Sequence, residues 1–163
     1  RILLRLTIAS TRMPTPTDKR RQAEQMADLT FELLEQCQYK REQIAGQLKL
    51  TVAEFKLFRA FRLDAMLSVN ELANRLDLSP SRLTRIIDGL EDKRFVRRTI
   101  GAQDRRVMEI TLTEQGKKVQ RQLEDTYVRT HEDILKLLPA GAADSVLLAM
   151  EKLRDAMKKW VEQ

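Results

Sequence analysis

Residues 79–85 read Ser79, Pro80, Ser81, Arg82, Leu83, Thr84 and Arg85, which places five hydroxyl or guanidinium side chains within about two turns of a helix. Wound at about 100° per residue, Leu83, Ile86, Ile87 and Leu90 recur at core spacing. Ser81, Arg85, Asp88 and Asp92 then fall on the opposite side, with Arg82 and Thr84 on its flanks. Hydroxyls and guanidiniums suit phosphate oxygens and base edges, and a guanidinium can meet both acceptors of a guanine at once. The order is basic first and acidic last, which fits a helix that offers its first turn to a polyanion. A second basic group follows at Arg97, Arg98, Arg105 and Arg106. From Arg82 to Arg106 eight basic residues stand against four acidic ones, a local +4 of the chain's +6.

Other chemistry has little foothold. The chain has one histidine, His131, and one cysteine, Cys37, with no CxxC or HxxxH spacing, so no metal site and no cofactor are expected. Gly46, Gly89, Gly101, Gly116 and Gly141 are scattered rather than clustered as a phosphate loop requires. His131 lacks a nucleophile motif around it and reads as a polar helical residue. The chain is not expected to be an enzyme.

The elements that must hold the basic residues are legible on both sides of them. Ser68 and Glu71 form a capping box ahead of a short helix with Leu72, Ala73 and Leu76 on one side, ending at Asp77 and Leu78. Ser79 then caps the next helix, with Pro80 at its first position. Two short helices meeting at a tight turn have helix-turn-helix spacing, and Ala73 is small enough for a close crossing. Upstream, Thr51 and Glu54 form another capping box, Leu50 and Phe55 staple it, and a helix carrying Phe55, Phe58 and Phe61 runs to about Leu63. Downstream of Lys93 the pattern becomes extended over Phe95–Ile100 and Arg105–Thr113, with Met108, Ile110 and Leu112 alternating against polar neighbours. That predicts a two-stranded β-hairpin with a basic tip.

Length and composition are consistent with this reading. The 163 residues, 42% hydrophobic and 33% charged, suit one packed domain. The basic excess favours a polyanionic partner. The longest apolar run, Val146–Met150, is far short of a bilayer span, and no signal peptide is apparent, so a cytoplasmic chain with no membrane partner is expected.

The segments LTVAEFKLFRAF from Leu50, SVNELANRLDLSPSRLTRIIDGLEDKRFVRR from Ser68 and DRRVMEITLTEQG from Asp104 resemble the MarR (multiple antibiotic resistance regulator) family of winged helix-turn-helix regulators. The resemblance implies a mainly α fold, with a winged core over about 50–112 between N- and C-terminal dimerisation helices. It places Ser79, Ser81, Arg82, Thr84 and Arg85 on the recognition helix. It also implies that Asp104 and Arg106 are the wing's Asp-x-Arg pair, the arginine meeting the minor groove and the aspartate restraining an arginine. The family usually has glycine where this chain has Arg94. Either Arg94 takes a positive φ or the helix ends differently.

Outside the core, residues 1–17 carry Pro14 and Pro16 and read as a flexible arm; Met13 would make a natural start and residues 1–12 an extension, or Arg1, Arg5 and Arg12 form a basic arm for DNA. The remaining chain, 18–163, is expected as a single domain. An amphipathic helix is expected over about 18–38, with Ala23, Met26, Thr30, Leu33 and Cys37 along one stripe. Two more are expected over about 113–138, capped by Thr113, and 142–161. Val146, Met150, Leu153, Met157 and Trp160 form a heptad seam on the last of them. These stripes exceed what a monomer needs, and the resemblance implies a homodimer.

A dimer in turn expects a pseudo-palindromic operator in double-stranded DNA. The resemblance also implies a repressor whose effector is a small phenolic or aromatic acid. Two alternatives stand beside it: thiol sensing through Cys37, with Lys40 and Arg41 nearby, or a winged helix that binds proteins. Cys37 by default reads as a small hydrophobe of its stripe.

Overall fold

The structure, a computed structural model, describes residues 15–62, 64–101 and 104–163. Most of the predicted arm, with Arg1, Arg5 and Arg12, lies outside the described residues. The chain divides into two units, Arg1–Arg41 and Glu42–Gln163.

Helix α1 spans Pro16–Gln47, two residues earlier than expected and well past Gln38. Its start has a physical cause: Pro16 takes the first position, the Thr15 hydroxyl accepts from the Asp18 amide, and the Thr15 amide donates to the Asp18 carboxylate. At the other end no breaker intervenes before Lys49, which adopts a left-handed φ of 55°. The Leu50 amide then reaches the Ala45 carbonyl and the Lys49 amide the Gly46 carbonyl, which closes the helix. Ile44 and Ala45 are buried. In the first unit Met26, Leu29, Phe31, Leu33 and Leu34 are at least half exposed, and Cys37 is exposed rather than tucked into an apolar stripe.

The second unit holds the winged core. Helix α2 spans Val52–Ala60, a little shorter than expected, with Phe61 as its C-cap. Its capping box is complete, and the staple residues Leu50 and Phe55 are both buried. Strand β1, Met66–Ser68, runs directly into α3, Val69–Leu76, whose Ser68–Glu71 box is also complete. Helix α4 spans Pro80–Asp92; strands β2, Val96–Ile100, and β3, Met108–Leu112, form the hairpin. The sheet has three antiparallel strands in the order β1-β3-β2, one more than the predicted two. Strand β1 escaped prediction because three residues are too few to show a period-2 pattern, and its last residue doubles as a helix cap.

The core of this unit joins Leu57 and Phe58 of α2, Leu72 of α3, Leu83, Ile87 and Leu90 of α4, and Ile110 of β3. Helix α5, Glu114–Lys136, starts where the wing ends: the Thr113 hydroxyl caps Gly116 and also donates to the Arg94 carbonyl. Helix α6 spans Ala143–Val161 and buries none of its residues.

Candidate nucleic-acid interface

Helix α4 is split as its sequence requires. Leu83, Ile87 and Leu90 are fully buried and Ile86 half-buried, while Ser81, Arg82, Thr84, Arg85 and Asp88 are exposed. Pro80 opens the helix, but the predicted Ser79 side-chain cap does not form. The Ser79 hydroxyl instead lies 3.3 Å from that of Ser81, so the pair presents two hydroxyls together at the first turn. The Thr84 hydroxyl donates back to the Pro80 carbonyl at 2.9 Å, leaving its oxygen free to accept.

The far end of α4 is closed by Arg94 at φ 58°. The Phe95 amide bonds the Leu90 carbonyl and the Arg94 amide the Glu91 carbonyl, each at 2.8 Å, a Schellman closure with arginine in the glycine position. The helix thus ends where a glycine would have ended it. Phe95 packs against the core that Leu90 belongs to. Lys93 reaches back 2.7 Å to Glu54, tying this end of α4 to the cap of α2. Burial raises the Glu54 carboxyl, but Lys93 and the Thr51 amide outweigh it and hold the pKa below the ordinary value.

Adjacent residues of a strand face opposite ways, so Arg97 and Arg98 do different things. Arg97 is exposed. Arg98 lies along α4: its guanidinium donates to the Asp88 carboxylate and, at 3.3 Å, to the Thr84 carbonyl, with Glu91 also 3.3 Å away. At the wing tip Arg105 and Arg106 are exposed. Arg106 forms a two-point pair with Asp104, at 3.1 and 3.3 Å, and keeps its side chain 91% exposed. The same arginine holds the Asp104 carboxyl below its ordinary pKa.

The site therefore comprises two separate presentations: the first two turns of α4, and a wing tip whose arginine is oriented but solvent-facing. Thr84, Arg98 and Arg106 come together with Asn70 and Met108 around the cleft between them. On the other flank of α4, Lys56 of α2 shares a groove with Arg82 and Arg85. Sequence reasoning missed Lys56 and Asn70, since nothing local marks a side chain that joins a site built elsewhere in the chain.

The MarR family model matches residues 50–108, the segment that builds this site. No curated protein matches the chain. Among solved structures, a cysteine-to-serine variant of MarR from E. coli is 23% identical with a TM-score of 0.70, covering 78% of this chain and 94% of its own. A MepR point mutant from S. aureus, solved bound to an oligodeoxyribonucleotide, is 20% identical with a TM-score of 0.57, over 81% and 97%. NadR in complex with 4-hydroxyphenylacetate is 21% identical with a TM-score of 0.64, over 78% and 88%. Residues 50–108 match the MarR family model and build a winged helix-turn-helix, and the chain carries the fold of the solved MarR and MepR structures.

Proposed function

We propose that the chain binds double-stranded DNA sequence-specifically as a homodimer and represses transcription in the cytoplasm until a small-molecule effector releases it. The observation that carries this reading is the division of α4. Its buried face fixes the helix in the core, and its first two turns present Ser81, Arg82, Thr84 and Arg85, after Pro80, to solvent beside a basic wing. A helix so placed enters a major groove by its N-terminal end, while a wing arginine meets backbone or minor groove. The MepR relative, of the same fold, was solved with an oligodeoxyribonucleotide. Two copies would read a pseudo-palindromic operator with half-sites roughly 34–36 Å apart.

Support for the effector comes from a groove of about 320 Å³ beside α5, lined by Arg59, Glu124, Tyr127, Val128, His131 and Leu135. Along it the Arg59 guanidinium, paired with Glu124 at 2.5 Å, lies 4.5 Å over the Tyr127 ring, and the His131 ring is tilted against Tyr127 at 4.4 Å between centroids. Arginine beside aromatic rings suits a small aromatic acid, the class of ligand in the NadR complex.

Salt-dependent duplex binding tests the reading. If each dimer neutralises about six or more phosphates, affinity should fall roughly 10³-fold between about 50 and 200 mM salt. A flat titration would overturn it in favour of a protein partner. Aromatic carboxylic acids should lower duplex affinity at constant ionic strength, measured by fluorescence anisotropy.

A further inference from the structure

Arg98 is one of the basic residues of the wing, yet the structure spends its charge inside the protein. Its guanidinium engages Thr84, Asp88 and Glu91, positions spaced by four and three residues that form one stripe along α4. Its backbone amide also donates to Glu91, at 3.1 Å. Since β2 lies at the edge of the sheet, Glu91 satisfies an amide that no neighbouring strand covers. The Arg98 side chain is 27% exposed, against 91% for Arg106. Asp88, 52% exposed, lies on the outward half of α4, one turn beyond Arg85.

A helix that enters a groove brings such carboxylates within a Debye length, about 8–10 Å, of phosphates. Two unscreened carboxylates there would repel the duplex. Resting on the duplex-binding reading above, we infer that Arg98 is a positioning residue: it neutralises and holds Asp88 and Glu91 so that the acidic half of α4 can lie against DNA. It acts through these two side chains and not as a phosphate ligand. Its effect is therefore independent of base sequence and conditional on the carboxylates being present.

That conditionality supplies the test. Affinity for a fixed-length duplex of random sequence is measured at one salt concentration for the wild-type chain, Arg98→Gln, Asp88→Asn/Glu91→Gln, and all three substitutions combined. Arg98→Gln should weaken binding about tenfold, and neutralising the carboxylates should recover most of that loss in the Arg98→Gln background while changing the wild-type affinity less than about threefold. Equal gains in both backgrounds would make Arg98 a direct phosphate ligand and overturn the inference. No recovery in the combined variant would make the tie purely geometric and overturn it as well. Thermal melts accompany each variant. Should Arg98→Gln not fold, Arg98→Lys, which keeps the charge but loses the fork, should show a smaller loss that is relieved by the same carboxylate substitutions. A wild-type chain that binds no duplex would overturn the underlying reading and the inference with it, an outcome distinct from equal gains.

Discussion

At the scale of the residue, the two kinds of arginine predict two kinds of defect. Arg85 stands exposed on the outward face of α4, placed to meet a base edge. A bidentate arginine–guanine pair discriminates by about 1–3 kcal/mol. Arg85→Ala should therefore lower the ratio of specific to nonspecific affinity at fixed salt. Arg106, oriented by Asp104 at the wing tip, faces a degenerate pattern, so Arg106→Ala should lower both affinities and leave their ratio nearly unchanged. Competition binding against operator and random duplexes separates the two. If Arg85→Ala changes the salt slope alone, base reading passes to Ser81, Arg82 or Thr84. Arg94 makes a prediction about stability: a non-glycine residue in the left-handed region costs about 1–2 kcal/mol. Arg94→Gly relieves that cost less glycine's extra freedom in the unfolded chain, and should raise stability by about 1 kcal/mol, or about 2–4 °C in a thermal melt. A lower melting temperature would show that the Arg94 side chain contributes more than its backbone costs.

At the scale of the element, the wing is fixed where α5 begins. A Cβ placed on Gly116 would sit 1.9 Å from the Phe95 carbonyl oxygen and 2.9 Å from its carbon, both backbone atoms that cannot swing aside. The same junction carries the Thr113 hydroxyl bonds to the Arg94 and Phe95 carbonyls. Gly116→Ala should accordingly cost roughly 1–3 kcal/mol by overpacking and displace the hairpin from α5. Gly46 is the contrast, since a Cβ there meets nothing within 4 Å. Gly46→Ala in the last turn of α1 should stabilise by about 0.4–1 kcal/mol through the lost freedom of the unfolded chain. Chemical denaturation of both variants checks the pair; equal effects would mean that the α5 junction yields more readily than its contacts indicate.

At the scale of the whole molecule, the unpartnered apolar surface decides the expectation. On α6 Met150 is 63%, Met157 50% and Trp160 75% exposed, and Val146 and Leu153 are only partly covered. Apolar side chains repeating by fours and threes on one helix without a buried position form a large patch of the kind that marks an interface. The chain should be a dimer at micromolar concentration by light scattering, and Met157→Glu with Trp160→Glu should shift it towards monomer. A stable folded wild-type monomer at that concentration would refute the dimer. No helix of the described residues is long and apolar enough to cross a membrane.

Much of this molecule is written locally. Caps, staple and the two faces of α4 follow from residues within a few positions of one another, because helix geometry converts spacing into direction. Thr51–Glu54, Ser68–Glu71 and Leu83–Leu90 were legible for that reason, as was the hairpin through the alternation of Met108, Ile110 and Leu112. The tertiary structure decided what depends on distant partners. It extended α1 to Gln47, where Ile44 and Ala45 find the core. It added β1, whose three residues have strand character only because β3 pairs with them. It also separated Arg98, held by Asp88 and Glu91, from Arg106, held out to solvent, although both are wing arginines in the sequence. Charge is a property of a residue type, but whether that charge is free or already neutralised depends on side chains that only folding brings within hydrogen-bond distance.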